Sequence, residues 1–268
     1  MLNNLFLLNF YSPLEQFETL PVIPINFDFS DSDLTILNLT ITNETLILYL
    51  IFFFFIFIMQ NMRKKFVNSS YIIPENWQLV LEVFINLVVS LVKDNISGEK
   101  TQKFFSLIFV IFMFLVFSNC IGMFPYSFTV TSNLLTTFYL GISLFLGINI
   151  IAIEKHGIKI FSLFLPSGIS IYLSFLLIPI EFISYVFKPI SLSIRLFANM
   201  MAGHTLLKVI AGFIFTLASS FNILLLASYV PAFILLPLFG LEFAVALIQS
   251  FVFSVLICIY INDSLNLH

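Results

Sequence analysis

Ionisable side chains recur at a regular spacing within the apolar C-terminal third of the chain. Glu181, Lys188 and Arg195 lie seven residues apart. Seven residues advance an α-helix by about two turns, so these three side chains share one helix face. An arginine at the centre of a membrane-spanning helix costs roughly 2.5 to 3.5 kcal/mol, so it is expected to face protein, a polar partner or water. This cost indicates a functional role for Arg195.

Further polar groups extend the pattern. Asn199 lies four residues after Arg195 and joins its stripe, whereas His204, nine residues after Arg195, points to about the opposite side of the same helix. A second stripe, with spacings of 7 and 14 residues, consists of Glu242, Gln249 and Asp263. Arginine keeps its charge and cannot relay its proton, while glutamate and histidine can both bind and release protons. The set predicts a proton path that contains one permanent cation.

Purely structural explanations remain open for several of these residues. Lys188 and Asp263 lie near expected helix ends or bends, where charged groups can reach the membrane surface. Glu181 and Lys188 could form an ion pair on one helix face. Asn199 or Gln249 could make an interhelical hydrogen bond and nothing more. The sequence alone does not choose between these explanations and a role in proton transfer.

Metal, cofactor and nucleotide chemistry find little support in the sequence. Besides His204 there are only His156, expected in a loop, and the terminal His268, so paired axial ligands or a histidine cluster cannot be assembled. Cys120 and Cys258 are isolated and are expected to be free thiols. No Ser/His/Asp set, glycine-rich phosphate loop or HExxH is present. We expect no metal, no cofactor and no catalytic site in this chain.

The composition is that of an integral membrane protein. Hydrophobic residues make up 60% of the 268 residues and charged residues only 9%, far below the quarter or so found in soluble domains. The 11 basic residues are scattered, which argues against nucleic acid as a partner and leaves the lipid bilayer. The 36 phenylalanines indicate an A+T-rich genome, as in an organelle or some bacteria.

The apolar runs predict an all-α fold. Membrane helices are expected over about 44–62, 104–124, 134–153, 168–217 and 221–262, with an amphipathic interfacial helix over about 74–97. Residues 1–43 hold five acids and no basic residue, while Arg63, Lys64 and Lys65 follow the first run, so the N-terminus is expected outside. The last two helices would be at least roughly 60 Å long, so they must be strongly tilted or nearly in the membrane plane and form a hairpin.

One segment and three shorter ones carry a family resemblance. The segment 191–208, SLSIRLFANMMAGHTLLK, resembles the signature of subunit a (subunit 6) of F-type ATP synthase, in the mitochondrial form. Similar supporting segments lie at 12–17, 119–129 and 241–253. The resemblance implies a proton-conducting stator subunit beside a ring of c subunits, with peripheral-stalk and other membrane-sector subunits as further partners. ATP chemistry would take place in partner subunits.

The resemblance also implies roles for individual residues. Arg195 matches the essential arginine that faces the ring carboxylate. His204 and Glu242 match the access channel on the intermembrane side. The matrix-side exit is matched by Glu181 and Asp263, with Asn199 and Gln249 nearby.

The resemblance and the composition together imply a location. We expect the mitochondrial inner membrane, with residues 1–43 in the intermembrane space and the C-terminus in the matrix. A bacterial plasma membrane is the alternative location. The functional alternatives are a secondary transporter or channel that works alone, and a structural anchor of a respiratory complex. A transporter would be expected to show paired, interrupted helices in two halves, and an anchor would not need Arg195 and Glu242.

Overall fold

Helices dominate the part of the chain that the structure describes. The computed structural model describes residues 14–24, 26–28, 36–38, 40–68, 76–96, 101–124, 127–157, 160, 171–219 and 227–266. Within these ranges the helices are α1 (Asn43–Asn68), α2 (Asn76–Asn95), α3 (Thr101–Gly122), α4 (Leu134–His156), α5 (Ile171–Ser219) and α6 (Tyr229–Leu265). The sequence predictions for 1–13, 74–75, 97, 168–170 and 221–226 fall on residues outside the described part.

The helices have the length and composition of membrane spans. Four apolar stretches are long enough to cross a membrane, namely Gln102–Gly122, Leu134–His156, Ser174–Ser219 and Tyr229–Leu265, and α1 adds a shorter one, Asn43–Ile58. Large apolar side chains are widely exposed on them, including Phe175 at 85% and Phe233 at 82%. Such exposure is unfavourable in water but not in hydrocarbon. The predicted all-α membrane fold is therefore confirmed.

The last two helices are much longer than a bilayer is thick. Helix α5 has 49 residues and α6 has 37. At about 1.5 Å per residue these helices are roughly 74 Å and 56 Å long, against about 30 Å of hydrocarbon. Their strong tilt relative to the membrane stays a prediction.

Short strands precede α1, which the sequence did not predict. Strands β1 (Pro21–Ile23) and β4 (Ile41–Thr42) pair antiparallel, as do β2 (Asn26–Asp28) and β3 (Ile36–Asn38). Proline is tolerated as the first residue of a strand, which fits Pro21 at the start of β1. Because β4 leads directly into α1, the β1–β4 pairing holds β1 beside the start of this helix.

Helix α2 has two different faces. Val88, Leu91 and Val92 are buried, whereas Glu82 and Asn86 lie exposed on the polar side. This is the amphipathic pattern that the spacing of polar residues predicted. Its position in the membrane interface remains a prediction.

The chain divides into two compact units. Unit 1 comprises residues 1–70, 117–132 and 199–246, and unit 2 comprises residues 71–116, 133–198 and 247–268. Helices α3, α5 and α6 each contribute residues to both units. The polar groups predicted to carry protons are therefore distributed over the two units.

Candidate functional site

A histidine and a glutamate form the polar centre of unit 1. The Nδ1 atom of His204 on α5 lies 3.3 Å from Oε1 of Glu242 on α6, and the two side chains are only 13% and 6% exposed. The sequence predicted both residues for the same route, and the structure brings them together. Each is a group that can bind and release a proton.

Gly203 makes room for this pair. A Cβ atom at position 203 would lie 2.8 Å from Oε1 and 3.0 Å from Cδ of Glu242. Any larger residue would therefore displace the carboxylate. Sequence reasoning did not single out Gly203, because its spacing from Arg195 carries no chemistry of its own.

Several atoms of the pair retain hydrogen-bonding capacity. Both carboxylate oxygens of Glu242 and Nε2 of His204 are buried, and none has a hydrogen-bond partner among the described residues. The 3.3 Å contact between the side chains is thus close but not aligned as a hydrogen bond. Buried polar atoms usually have a partner, so these atoms are open to water or to a group of a neighbouring subunit. The pair is chemically suited to pass a proton.

A buried side-chain amide on α3 binds the backbone of α6 one turn after Glu242. The Nδ2 atom of Asn119 on α3 donates to the carbonyl oxygen of Ala246 at 3.0 Å. Its Oδ1 accepts a hydrogen bond from the hydroxyl of Thr131 at 2.9 Å. Asn119 and Ala246 are both 0% exposed. Since Ala246 lies one helical turn after Glu242, this amide fixes the part of α6 that carries the carboxylate.

A lysine and an aspartate form the polar centre of unit 2. The Nζ atom of Lys188 on α5 lies 3.6 Å from Oδ2 of Asp263 on α6. The same ammonium lies 5.5 Å from the ring centroid of Tyr185 and 5.2 Å from that of Tyr260. Both distances are within the range of a cation–π contact. Of the alternatives that the sequence left open, an ion pair of Lys188 is present, but its partner is Asp263 and not Glu181.

Arg195 lies on the exposed side of α5. Its neighbours Leu192, Ser193 and Leu196 are at most 3% exposed, whereas Arg195 itself is exposed. In the described part of the chain its guanidinium has neither an ion pair nor a hydrogen bond. Its charge acts on the hydroxyl of Tyr260 on α6, which is also within electrostatic range of Asp263.

Close packing of α4 against α5 supports the part of α5 in unit 2 that carries Lys188 and Arg195. A Cβ atom at Gly141 would clash with the Ser193 hydroxyl and would lie 3.2 Å from the Pro189 carbonyl oxygen. About two turns further along α4, Asn149 accepts a hydrogen bond from the Tyr185 hydroxyl. Asn149 is a partner that sequence reasoning missed, because nothing in the spacing along α4 marked it.

The remaining predicted residues occupy separate positions. Glu181 is partly exposed on α5 and has no ion pair among the described residues; Asn199 is exposed on α5 and Gln249 is buried on α6. Their roles in proton transfer stay predictions. No group of three or more metal-binding side chains occurs in the ranges that the structure describes, and Cys120 and Cys258 are free there.

Comparison with known proteins identifies the family. The chain matches the family described as ATP synthase A chain over residues 43–262. It is 49% identical to ATP synthase subunit a of Pylaiella littoralis over 262 residues, which cover 97% of this chain and 100% of that protein. The subunits a of Marchantia polymorpha and Chondrus crispus are 45% and 46% identical, cover 96% of this chain in each case, and are themselves covered to 99% and 97%. The similarity to these proteins spans nearly the whole sequence, and the family match includes His204, Glu242 and Lys188 and ends one residue before Asp263, so the chain belongs to the ATP synthase A chain family.

Proposed function

We propose that this chain forms two proton half-channels beside a rotating ring of c subunits and couples proton flow to rotation of that ring. As a family member it is the proton-translocating stator subunit in the membrane sector of an ATP synthase, without a catalytic site of its own. The half-channels and the residues in them are the part that needs testing.

The access route contains His204 and Glu242. Their 3.3 Å separation, their burial and their unpaired atoms support transfer of a proton from the outer side to the ring. A ring carboxylate that receives this proton becomes neutral, so it can face lipid at low cost.

The exit route contains Asp263 and Glu181, with Asn199 and Gln249 nearby. The Asp263 carboxylate is assigned to receive the proton from the returning ring site, because its side chain is 47% exposed and is held 3.6 Å from the Lys188 ammonium. The protonated carboxyl group then releases this proton to the matrix side.

Arg195 would separate the two routes, and its position is the observation that carries the proposal. It is an exposed cation on an apolar helix, and no group of the described chain neutralises it. A partner must supply the negative charge, and the ionised carboxylate of a returning c subunit has the right chemistry. The fixed charge would also repel protons that could otherwise leak straight through. The membrane potential contributes about 2.3 kcal/mol per charge per 100 mV.

The proposal extends to partners and location. The c ring, peripheral-stalk subunits and other membrane-sector subunits would contact the exposed apolar faces. We place the chain in the mitochondrial inner membrane, with residues 1–43 in the intermembrane space, the C-terminus in the matrix and residues 44–268 as one membrane domain. The organellar character of the similar subunits a supports this location.

Replacement of Arg195 tests the function. In membranes that contain the assembled synthase, Arg195→Ala should abolish ATP synthesis driven by a proton gradient. The matched control is Lys208→Ala, which removes another cation of α5 and should leave synthesis near the wild-type rate. Synthesis that persists in Arg195→Ala would refute the proposal. A chain that purifies without any c subunit and still conducts protons would favour a transporter that works alone.

A further inference from the structure

We infer that residues 14–24, the N-terminal segment, belong to the access route, and that Phe17 is a positioning residue that covers and orients the imidazole of His204. The inference rests on the proposed role of His204. It assigns a place to the sequence SPLEQF at 12–17, whose last four residues lie in the described part of the chain.

The N-terminal segment is attached to the start of α1. The backbone N–H of Leu20 donates to Oδ1 of Asn43 at 3.2 Å, and Nδ2 of Asn43 donates to the Glu18 carbonyl oxygen at 3.3 Å. The backbone N–H of Asn43 donates in turn to the Leu20 carbonyl oxygen at 3.1 Å. With the pairing of β1 and β4, these bonds fix the segment on both sides of Leu20.

A short helical turn then directs Phe17 toward α5. Residues Glu15–Phe17 form a single 3-10 turn, in which the Phe17 N–H donates to the Leu14 carbonyl oxygen at 3.0 Å. The ring centroids of Phe17 and His204 are 6.5 Å apart, with an angle of 61° between the planes. This is an edge-to-face arrangement at a distance where aromatic rings attract one another.

The same turn contributes a free polar atom. Nε2 of Gln16 is buried and has no hydrogen-bond partner among the described residues, and the same holds for Nε2 of His204. Buried polar atoms without a partner are uncommon in folded proteins. One such atom next to Phe17 in the chain and one on the ring that Phe17 contacts fit a segment that takes part in a polar route.

The contact has two consequences for His204. Because the Phe17 ring lies against the imidazole, it restricts rotation of that ring and keeps Nδ1 directed at Glu242. It also shields the imidazole from water on that side. Loss of an aromatic pair of this kind corresponds to about a 2- to 10-fold change in the equilibrium between the oriented and the free imidazole.

Chemical labelling tests the cover independently of proton conduction. In a Cys120→Ser, Cys258→Ser background, His204→Cys is introduced and labelled with a membrane-impermeant maleimide in membranes containing the assembled synthase. Phe17→Ala should accelerate labelling severalfold, because it removes the ring that lies over position 204. The matched control is Leu20→Ala in the same segment, whose side chain is 59% exposed. Equal labelling rates with and without Phe17, or equal acceleration by Leu20→Ala, would overturn the inference.

Synthesis rates test the positioning role. Phe17→Ala should lower proton-driven ATP synthesis about 2- to 10-fold per assembled complex, and Phe17→Tyr, which keeps a ring, should restore it. In a His204→Gln background, Phe17→Ala should have no further effect, because Phe17 acts through the imidazole. An undiminished loss in that background, or a Tyr variant as poor as Ala, would overturn the inference. Where Phe17→Ala fails to assemble, Phe17→Leu takes its place. Full synthesis in His204→Gln alone would instead contradict the proposed role of His204, and the labelling result would still stand.

Discussion

Substitution of Gly203 by alanine should impair proton transfer without weakening the fold. The added Cβ would lie 2.8 Å from Oε1 of Glu242, about 0.6 Å short of the 3.4 Å at which ordinary contact begins. The contacted atoms lie toward the end of a flexible side chain, so the carboxylate can move away and lengthen its 3.3 Å approach to His204. Alanine also favours a helix over glycine by about 1 kcal/mol, which offsets much of the strain.

The functional loss should therefore exceed the loss of stability. A misplacement of about 1 Å in a reacting group can reduce a rate about 100-fold. With a shift of about half that size, we expect proton-driven ATP synthesis to fall roughly 10-fold per assembled complex. The assay is synthesis in membranes at a fixed proton gradient, normalised to the amount of subunit in the complex.

Helix α5 supplies a matched control for this substitution. Gly212 lies on the same helix and in the same unit, and a Cβ atom there would meet nothing within 4 Å. Gly212→Ala should leave the rate unchanged. The reasoning would be refuted if Gly203→Ala kept the wild-type rate, or if both variants lost activity equally.

Three further outcomes follow from the structure. Gly141→Ala should reduce the yield of assembled subunit, because overpacking of this kind costs about 1 to 3 kcal/mol. The control Gly147→Ala should not reduce it, since a Cβ atom there meets nothing within 4 Å. Immunoblots of the isolated complex compare the two variants, and equal yields would contradict the close packing at Gly141. Asn119→Ala removes two buried hydrogen bonds, so it should cost about 1 to 3 kcal/mol and lower the midpoint of thermal dissociation of the complex. An unchanged midpoint would contradict this role. Lys188→Gln and Asp263→Asn should each slow proton-driven ATP synthesis, because each breaks the same ion pair. The double variant should be no slower than the slower single variant. Additive losses would show that the two residues act separately.

Helical periodicity predicted which residues share a face of one helix, but not which residues of two different helices contact each other. From spacing alone the apparent partner of Lys188 was Glu181, on the same helix. The structure pairs Lys188 with Asp263, 75 residues later. Such a contact depends on how two helices are rotated and offset, which the spacing along one helix does not report. Only the resemblance to a family placed His204 and Glu242 on the same route.

The N-terminal region escaped prediction for a different reason. Its strands are two or three residues long, too short for an alternating pattern to be recognised. The motif at 12–17 was recognised as a family feature, but a turn that contacts a histidine nearly 190 positions later leaves no trace in local sequence.

The buried Asn119 amide has a consequence for the angular setting of α6. A side chain reaches about 5 Å from a helix axis, so a rotation of 20° about that axis moves its end by nearly 2 Å. The Glu242 carboxylate, 3.3 Å from His204, would lose its contact after such a rotation. Asn119 binds the Ala246 carbonyl oxygen one helical turn after Glu242, and this hydrogen bond restricts rotation of α6 about its own axis. Substitutions in α3, which carries none of the residues predicted to transfer protons, can therefore disturb the efficiency with which proton flow becomes rotation.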